Sequence, residues 1–76
     1  MEISVGMVEQ IWQKAKKVEE YDENWRVDRF GSPMHRKEYK NRESPYGWVI
    51  QRIRKMEGEF DVPQNFQAIQ IRNVKI

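Results

Sequence analysis

The apolar positions of this chain change their period along its length. Val5, Val8, Ile11, Trp12, Ala15 and Val18 recur at three- and four-residue spacing, the stripe of an amphipathic helix. Ser4 precedes the stripe, where a hydroxyl can accept a backbone N–H of the first turn. Gly6 falls within that turn, and the stripe ends near residues 18–21. Residues 22–33 read as a connecting segment closing on the turn signal Gly31-Ser32-Pro33. Residues 34–39 are short and mixed, and residues 41–47, with Asn, Ser, Pro and Gly, read as a loop. Residues 48–53 are β-branched and aromatic and predict a strand, and residues 58–63 a further loop. The C-terminal segment has two readings. Ile69-Gln70-Ile71 and Val74-Lys75-Ile76 alternate as a strand does, whereas Phe66, Ile69 and Asn73 suit a helix. β-branched content favours the strand. The expectation is one small α+β domain over residues 1–76, led by an amphipathic helix.

Composition narrows the chemistry. A chain of 76 residues buries only about 60% of its unfolded surface and is marginal alone. It has no cysteine, so neither a disulfide nor a thiolate zinc site can reinforce it. No apolar run approaches the roughly 20 residues of a membrane span, and Met1-Glu2-Ile3-Ser4 lacks the features of a signal peptide. The expectation is a cytoplasmic protein without a membrane partner. The formal net charge is only +2, with a pI near 9.0, modest for a strong nucleic-acid binder. The charge is uneven, however. Residues 26–55 carry nine basic side chains against Asp28, Glu38 and Glu43, and residues 19–23 carry Glu19, Glu20, Asp22 and Glu23 with no base. One basic and one acidic face follow, unless both are merely solvated surface.

Trp48-Val49-Ile50-Gln51-Arg52-Ile53, preceded by Tyr46-Gly47, resembles the catalytic strand of HNH endonucleases, which reads Trp-Glu-Ile-Asp-His-Ile. Other blocks match in order. Trp12-Gln13-Lys14-Ala15, Val18 and Tyr21-Asp22 resemble the lead-in of phage and bacterial members. Arg26, Asp28 and Gly31 match the next block, and Arg36, Glu38-Tyr39, Asn41-Arg42 and Tyr46-Gly47-Trp48 the one before the strand. Asn65-Phe66-Gln67 and Asn73 resemble the family's Asn-Leu-Gln-Pro-Leu-His…Asn ending. The resemblance covers roughly residues 11–73 and implies a ββα unit.

In that family the unit grips one divalent metal. A His acts as general base on water, the preceding Asp and a second His at the helix start hold the metal, and an Asn steadies the loop. The resemblance places Gln51 at the Asp, Arg52 at the base, Gln70 at the second His and Asn65 at the supporting Asn. Arg keeps its proton and cannot be a base, and Gln brings no charge to offset a cation. The implied protein is a degenerate HNH-like unit without metal, cofactor or catalytic residues. Its emptied pocket would be closed by Gln51, Arg52 and Gln70 bonding one another or a neighbouring carboxylate. Trp12, Trp25, Trp48, Phe60 and Phe66 are the expected core anchors. His35, the sole histidine, lies outside the matched positions. Glu57, Glu59 and Asp61 could hold magnesium only weakly, and no serine has a partnering base.

Two functions follow as expectations. The first is a small phage or mobile-element inhibitor that binds a host protein or ribonucleoprotein of a defence complex, by analogy with anti-CRISPR and anti-restriction proteins. The second is a sequence-independent DNA or RNA binder, with Arg36, Lys37, Lys40, Arg42, Arg52, Arg54 and Lys55 on phosphates. A live enzyme with a displaced site is the remaining reading.

Overall fold

A computed structural model describes residues 4–53 and 63–74. The amphipathic stripe forms α1 (Val5–Lys14). Ser4 is extended, and its Oγ accepts the Met7 N–H at 3.2 Å, the N-cap geometry. The helix stops earlier than the apolar stripe suggests. Ala15 turns extended, and Lys16–Lys17 leave as a short strand, β1. The reason is tertiary. Arg26 brings its guanidinium to the helix end, with Nη1 donating to the carbonyls of Gln13 (3.2 Å) and Ala15 (3.0 Å) and Nη2 to Gln13 Oε1 (3.2 Å). A cation at the carbonyl end of a helix also complements its dipole. Val18, the last residue of the stripe, therefore lies beyond the helix.

The stretch read as a connecting segment contains β2 (Trp25–Val27), and β3 (Pro33–His35) follows. β1, β2 and β3 form an antiparallel sheet in that order. Trp25 faces His35, Arg26 faces Met34 and Val27 faces both Pro33 and Lys16. Short strands of mixed polarity show no alternation long enough to read in a sequence; the sheet is legible only once its strands pair. The turn between β2 and β3 is built by Asp28, whose carbonyl accepts the Gly31 N–H at 2.9 Å. Gly31 there has φ +83°, the left-handed region that favours glycine.

A 3-10 turn (Arg36–Glu38) and the expected loop lead to β4 (Trp48–Arg52). A second 3-10 turn (Pro63–Asn65) precedes β5 (Phe66–Gln70), and a third (Ile71–Asn73) follows it. β4 and β5 are antiparallel, with Trp48 opposite Gln70, Ile50 opposite Ala68 and Arg52 opposite Phe66. The C-terminal alternative thus resolves to a strand over Phe66–Gln70, and among the described residues no α-helix follows it. Antiparallel strands alternate their side chains between faces. Trp48, Ile50, Phe66 and Ala68 consequently share the face that packs with Ile11, Trp12 and Met34 into the core. The Trp12 and Trp48 rings lie 4.7 Å apart, and Tyr39 stacks on Trp48 at 4.6 Å. Lys14 fastens β5 to the helix, its Nζ donating to the carbonyls of Pro63 (2.5 Å) and Phe66 (2.8 Å). Burial pushes the Lys14 amine below its ordinary pKa.

One glycine is fixed by proximity. A Cβ on Gly47 would lie 2.0 Å from the Asn41 carbonyl oxygen and 3.1 Å from Ile71 Cδ1. Residue 47 is thus where the loop, β4 and the C-terminal turn converge, and its carbonyl accepts the Ile71 N–H at 3.0 Å. The architecture is α+β: one helix packed on antiparallel sheets. Among the described residues no helix is long and apolar enough to cross a membrane.

Candidate functional site

The β4–β5 pair separates the residues that the resemblance groups into one pocket. Gln51 and Arg52 are consecutive on a strand and so point to opposite faces. Gln51 lies directly across from Gln67, whose Nε2 donates to Gln51 Oε1 at 3.1 Å. Arg52 lies across from Phe66 on the other face, its guanidinium carbon 5.2 Å from the ring centroid, a cation–π distance. Gln70 is paired with Trp48, four residues along the ladder from the Arg52–Phe66 pair, or about 13 Å at about 3.3 Å per residue. Gln51, Arg52 and Gln70 therefore do not bond one another as expected; of the alternative, a neighbouring carboxylate, Gln70 is the case, its backbone N–H donating to Asp28 Oδ2 at 3.0 Å. Asn65 stands half-buried just before β5, and its carbonyl accepts the Ile53 N–H at 2.8 Å. These positions do not fit the implied metal: they offer three amides and a guanidinium with no anionic donor. Among the described residues no three His, Asp or Glu side chains are placed to hold an ion.

Gln70 instead joins a buried polar cluster around Asp28. Asp28 Oδ1 accepts the backbone N–H groups of Phe30 (3.0 Å) and Ser32 (2.9 Å), shaping the β2–β3 turn. Asp28 Oδ2 accepts the Gln70 N–H (3.0 Å) and Asn73 Nδ2 (2.7 Å), tying that turn to the end of β5. Asn73 Nδ2 also reaches Ser32 Oγ (2.9 Å), and Gln70 Nε2 donates to the Pro33 carbonyl (2.6 Å). Asp28 and Gln70 are both buried. A buried carboxylate is tolerable only when its oxygens are satisfied, and here each accepts two bonds. Asp28, Gln70 and Asn73 are thus framework. The sequence signal was Asp three residues before Gly in a turn segment; its reach to residue 73 had none.

The basic residues divide likewise. Arg36 is half-buried and forms an ion pair with Glu9 of α1. Hydrogen bonding from Gln13, aided by Arg36, holds the Glu9 carboxyl below the usual carboxylate range. Lys37, Lys40 and Arg42 are exposed along the segment after β3. Lys40 sits over the Tyr39 ring at 5.3 Å with φ +65°. Arg52 lies toward the opposite end of β4 from Trp48, which Tyr39 abuts. The candidates therefore do not converge on one described patch. Arg54 and Lys55 lie outside the described residues, as do Phe60, the 58–62 stretch and the carboxylates Glu57, Glu59 and Asp61. His35 Nδ1 accepts the Lys37 N–H at 3.2 Å, a local capping role.

A feature absent from the sequence reading is an aromatic groove on the outer face of the β1–β2–β3 sheet. Trp25 is not a core anchor but half-buried there. Tyr46 and His35 meet it edge-on at 4.9 and 4.8 Å, and Tyr21 leans toward it at 6.1 Å. The groove has a volume of about 490 Å³ and is lined by the apolar and aromatic residues Val18, Tyr21, Trp25, Val27, Pro33 and Tyr46, with Gly31 and with Arg26, whose guanidinium is turned to Gln13 and Ala15 at the end of α1. The sequence shows aromatic residues but not which face of a three-residue strand they take.

No family model, curated protein or solved structure matches this chain.

Proposed function

We propose that this chain is a non-catalytic binding protein, a degenerate relative of HNH endonucleases acting in the cytoplasm of a bacterial host. On this reading it is a small phage or mobile-element inhibitor that docks on a nucleic-acid-processing defence complex. The observation that carries the non-catalytic part is the engagement of the three replaced positions. Gln51 is bonded across the ladder to Gln67, Arg52 is laid on Phe66, and Gln70 is buried against Pro33 and Asp28. A guanidinium that keeps its proton supplies no general base, and neutral amides engaged within the fold supply no charge for a metal. The binding part is supported by the exposed aromatic groove and by the segregation of acidic residues 19–23 from the basic 36–42 segment, a polarity suited to steering a partner. The test is plasmid cleavage with magnesium, manganese, nickel or zinc, together with pull-down of purified defence complexes. The reading expects no cleavage and specific capture; metal-dependent nicking would overturn it.

Exposed Lys37, Lys40 and Arg42 on one short segment favour a second reading, sequence-independent nucleic-acid binding. Its signature is duplex binding that falls steeply with salt and is lost in Lys37→Ala with Arg42→Ala. Salt-independent binding, or none at low ionic strength, would remove it.

A further inference from the structure

The outer groove, rather than the β4–β5 ladder, has the form of a docking site. Cross-strand pairing places Trp25 beside His35, and Val27 beside Pro33, on one face of the sheet. Tyr46 closes one wall edge-on and Tyr21, 60% exposed, leaves its ring open to solvent. The volume of about 490 Å³ lies within the roughly 300–1,000 Å³ usual for sites that enclose a ligand. Tyr and Trp are the side chains that most often anchor protein interfaces. The charge around the groove has a direction. Glu19, Glu20, Asp22 and Glu23 are all exposed and flank Tyr21. Lys16, the cross-strand partner of Val27, lies toward the other end. An acidic border repels polyanions and attracts cations, and open aromatic faces take cations well.

We propose that this groove binds a protein segment in which Lys or Arg flanks an apolar anchor. The apolar side chain seats against Trp25, Val27 and Pro33. Its basic neighbours pack at the Tyr21 end, over the aromatic faces and among the acidic residues. The inference rests on the binding-protein reading and assigns it a surface.

The test is NMR titration of the full isotope-labelled chain with a short leucine–arginine peptide. Control peptides carry Glu for every Arg, or Ser for every Leu. Amide shifts should concentrate at Val18, Tyr21, Trp25, Val27 and Tyr46, and both controls should bind at least about tenfold more weakly, a loss of about 1.4 kcal/mol. Glu20→Lys and Tyr46→Ala should each weaken the leucine–arginine peptide by a similar factor, and Gln10→Ala should not. Equal binding of the Glu-substituted peptide, shifts centred elsewhere, or displacement of the peptide by duplex DNA would overturn the assignment. Those results would leave the binding-protein reading standing, whereas metal-dependent plasmid cleavage would sink that reading whatever the groove binds.

Discussion

Replacing Asp28 by alanine should come close to unfolding this protein. The residue is 6% exposed, and its carboxylate accepts four hydrogen bonds, from Phe30 N, Ser32 N, Gln70 N and Asn73 Nδ2. The Phe30 and Ser32 amides lie in a turn, where water can replace the lost acceptor. The Gln70 N–H is buried at the end of β5, and the Asn73 amide is part-buried. An unsatisfied buried donor costs about 1–3 kcal/mol, so the substitution should cost about 3–5 kcal/mol in all. A chain of 76 residues has a total stability of about 4–11 kcal/mol at about 0.05–0.15 kcal/mol per residue. Asp28→Asn preserves the shape but must turn its NH2 toward one of the two donor pairs, and should lose about 2–3 kcal/mol. Urea denaturation followed by tryptophan fluorescence measures both, since Trp12 and Trp48 are buried in the core. A cycle with Asn73→Ala isolates the link between the β2–β3 turn and the C-terminal turn, with an expected coupling of about 1–2 kcal/mol. A loss below about 1 kcal/mol for Asp28→Ala, or additivity of the two changes within about 0.3–0.5 kcal/mol, would refute the argument.

Gly47→Ala should be destabilising by about 1–3 kcal/mol or more, because the new methyl meets the Asn41 carbonyl and only backbone movement relieves it; an unchanged urea midpoint would contradict this. Arg26→Lys keeps the charge at the end of α1 but cannot span both carbonyls and Gln13 Oε1. It should cost about 1–2 kcal/mol, and full retention of stability would show that the charge alone suffices there. Glu9 has a folded pKa below its ordinary value of 4.5. Its contribution is present above that value and is lost as pH falls through the folded pKa, so Glu9→Gln should flatten the acid limb of the stability profile. An acid limb identical to that of the parent chain would remove the Gln13 and Arg36 contacts from the account.

What could be read from the chain alone was what depends on neighbours in sequence. The helix showed in its period and in Ser4, because i to i+3 and i+4 spacing is a local property and an N-cap needs only the first turn. The Trp48–Arg52 strand showed in its β-branched and aromatic content, and the α+β class followed from one helix and a strand. That positions 51, 52 and 70 carry Gln, Arg and Gln, none of them a general base or an anionic metal ligand, is also a plain property of the sequence.

Position in space was decided elsewhere. The helix ends at Lys14 rather than near residue 18 because Arg26, on another strand, takes its last carbonyls. β1, β2 and β3 are two or three residues long, too short to alternate visibly, and exist because they pair. Pairing register set Gln70 against Trp48 and four residues from Arg52, so residues grouped by resemblance were parted. The same register turned Trp25 outward while Trp12 and Trp48 went into the core. Asp28 reached across to Asn73 only because folding stacked a turn on a strand end 45 residues away. Composition and period are written residue by residue, whereas strand register and buried polar partnership arise from contacts between segments, and in a protein this small those contacts decide which side chains are buried and which stay at the surface.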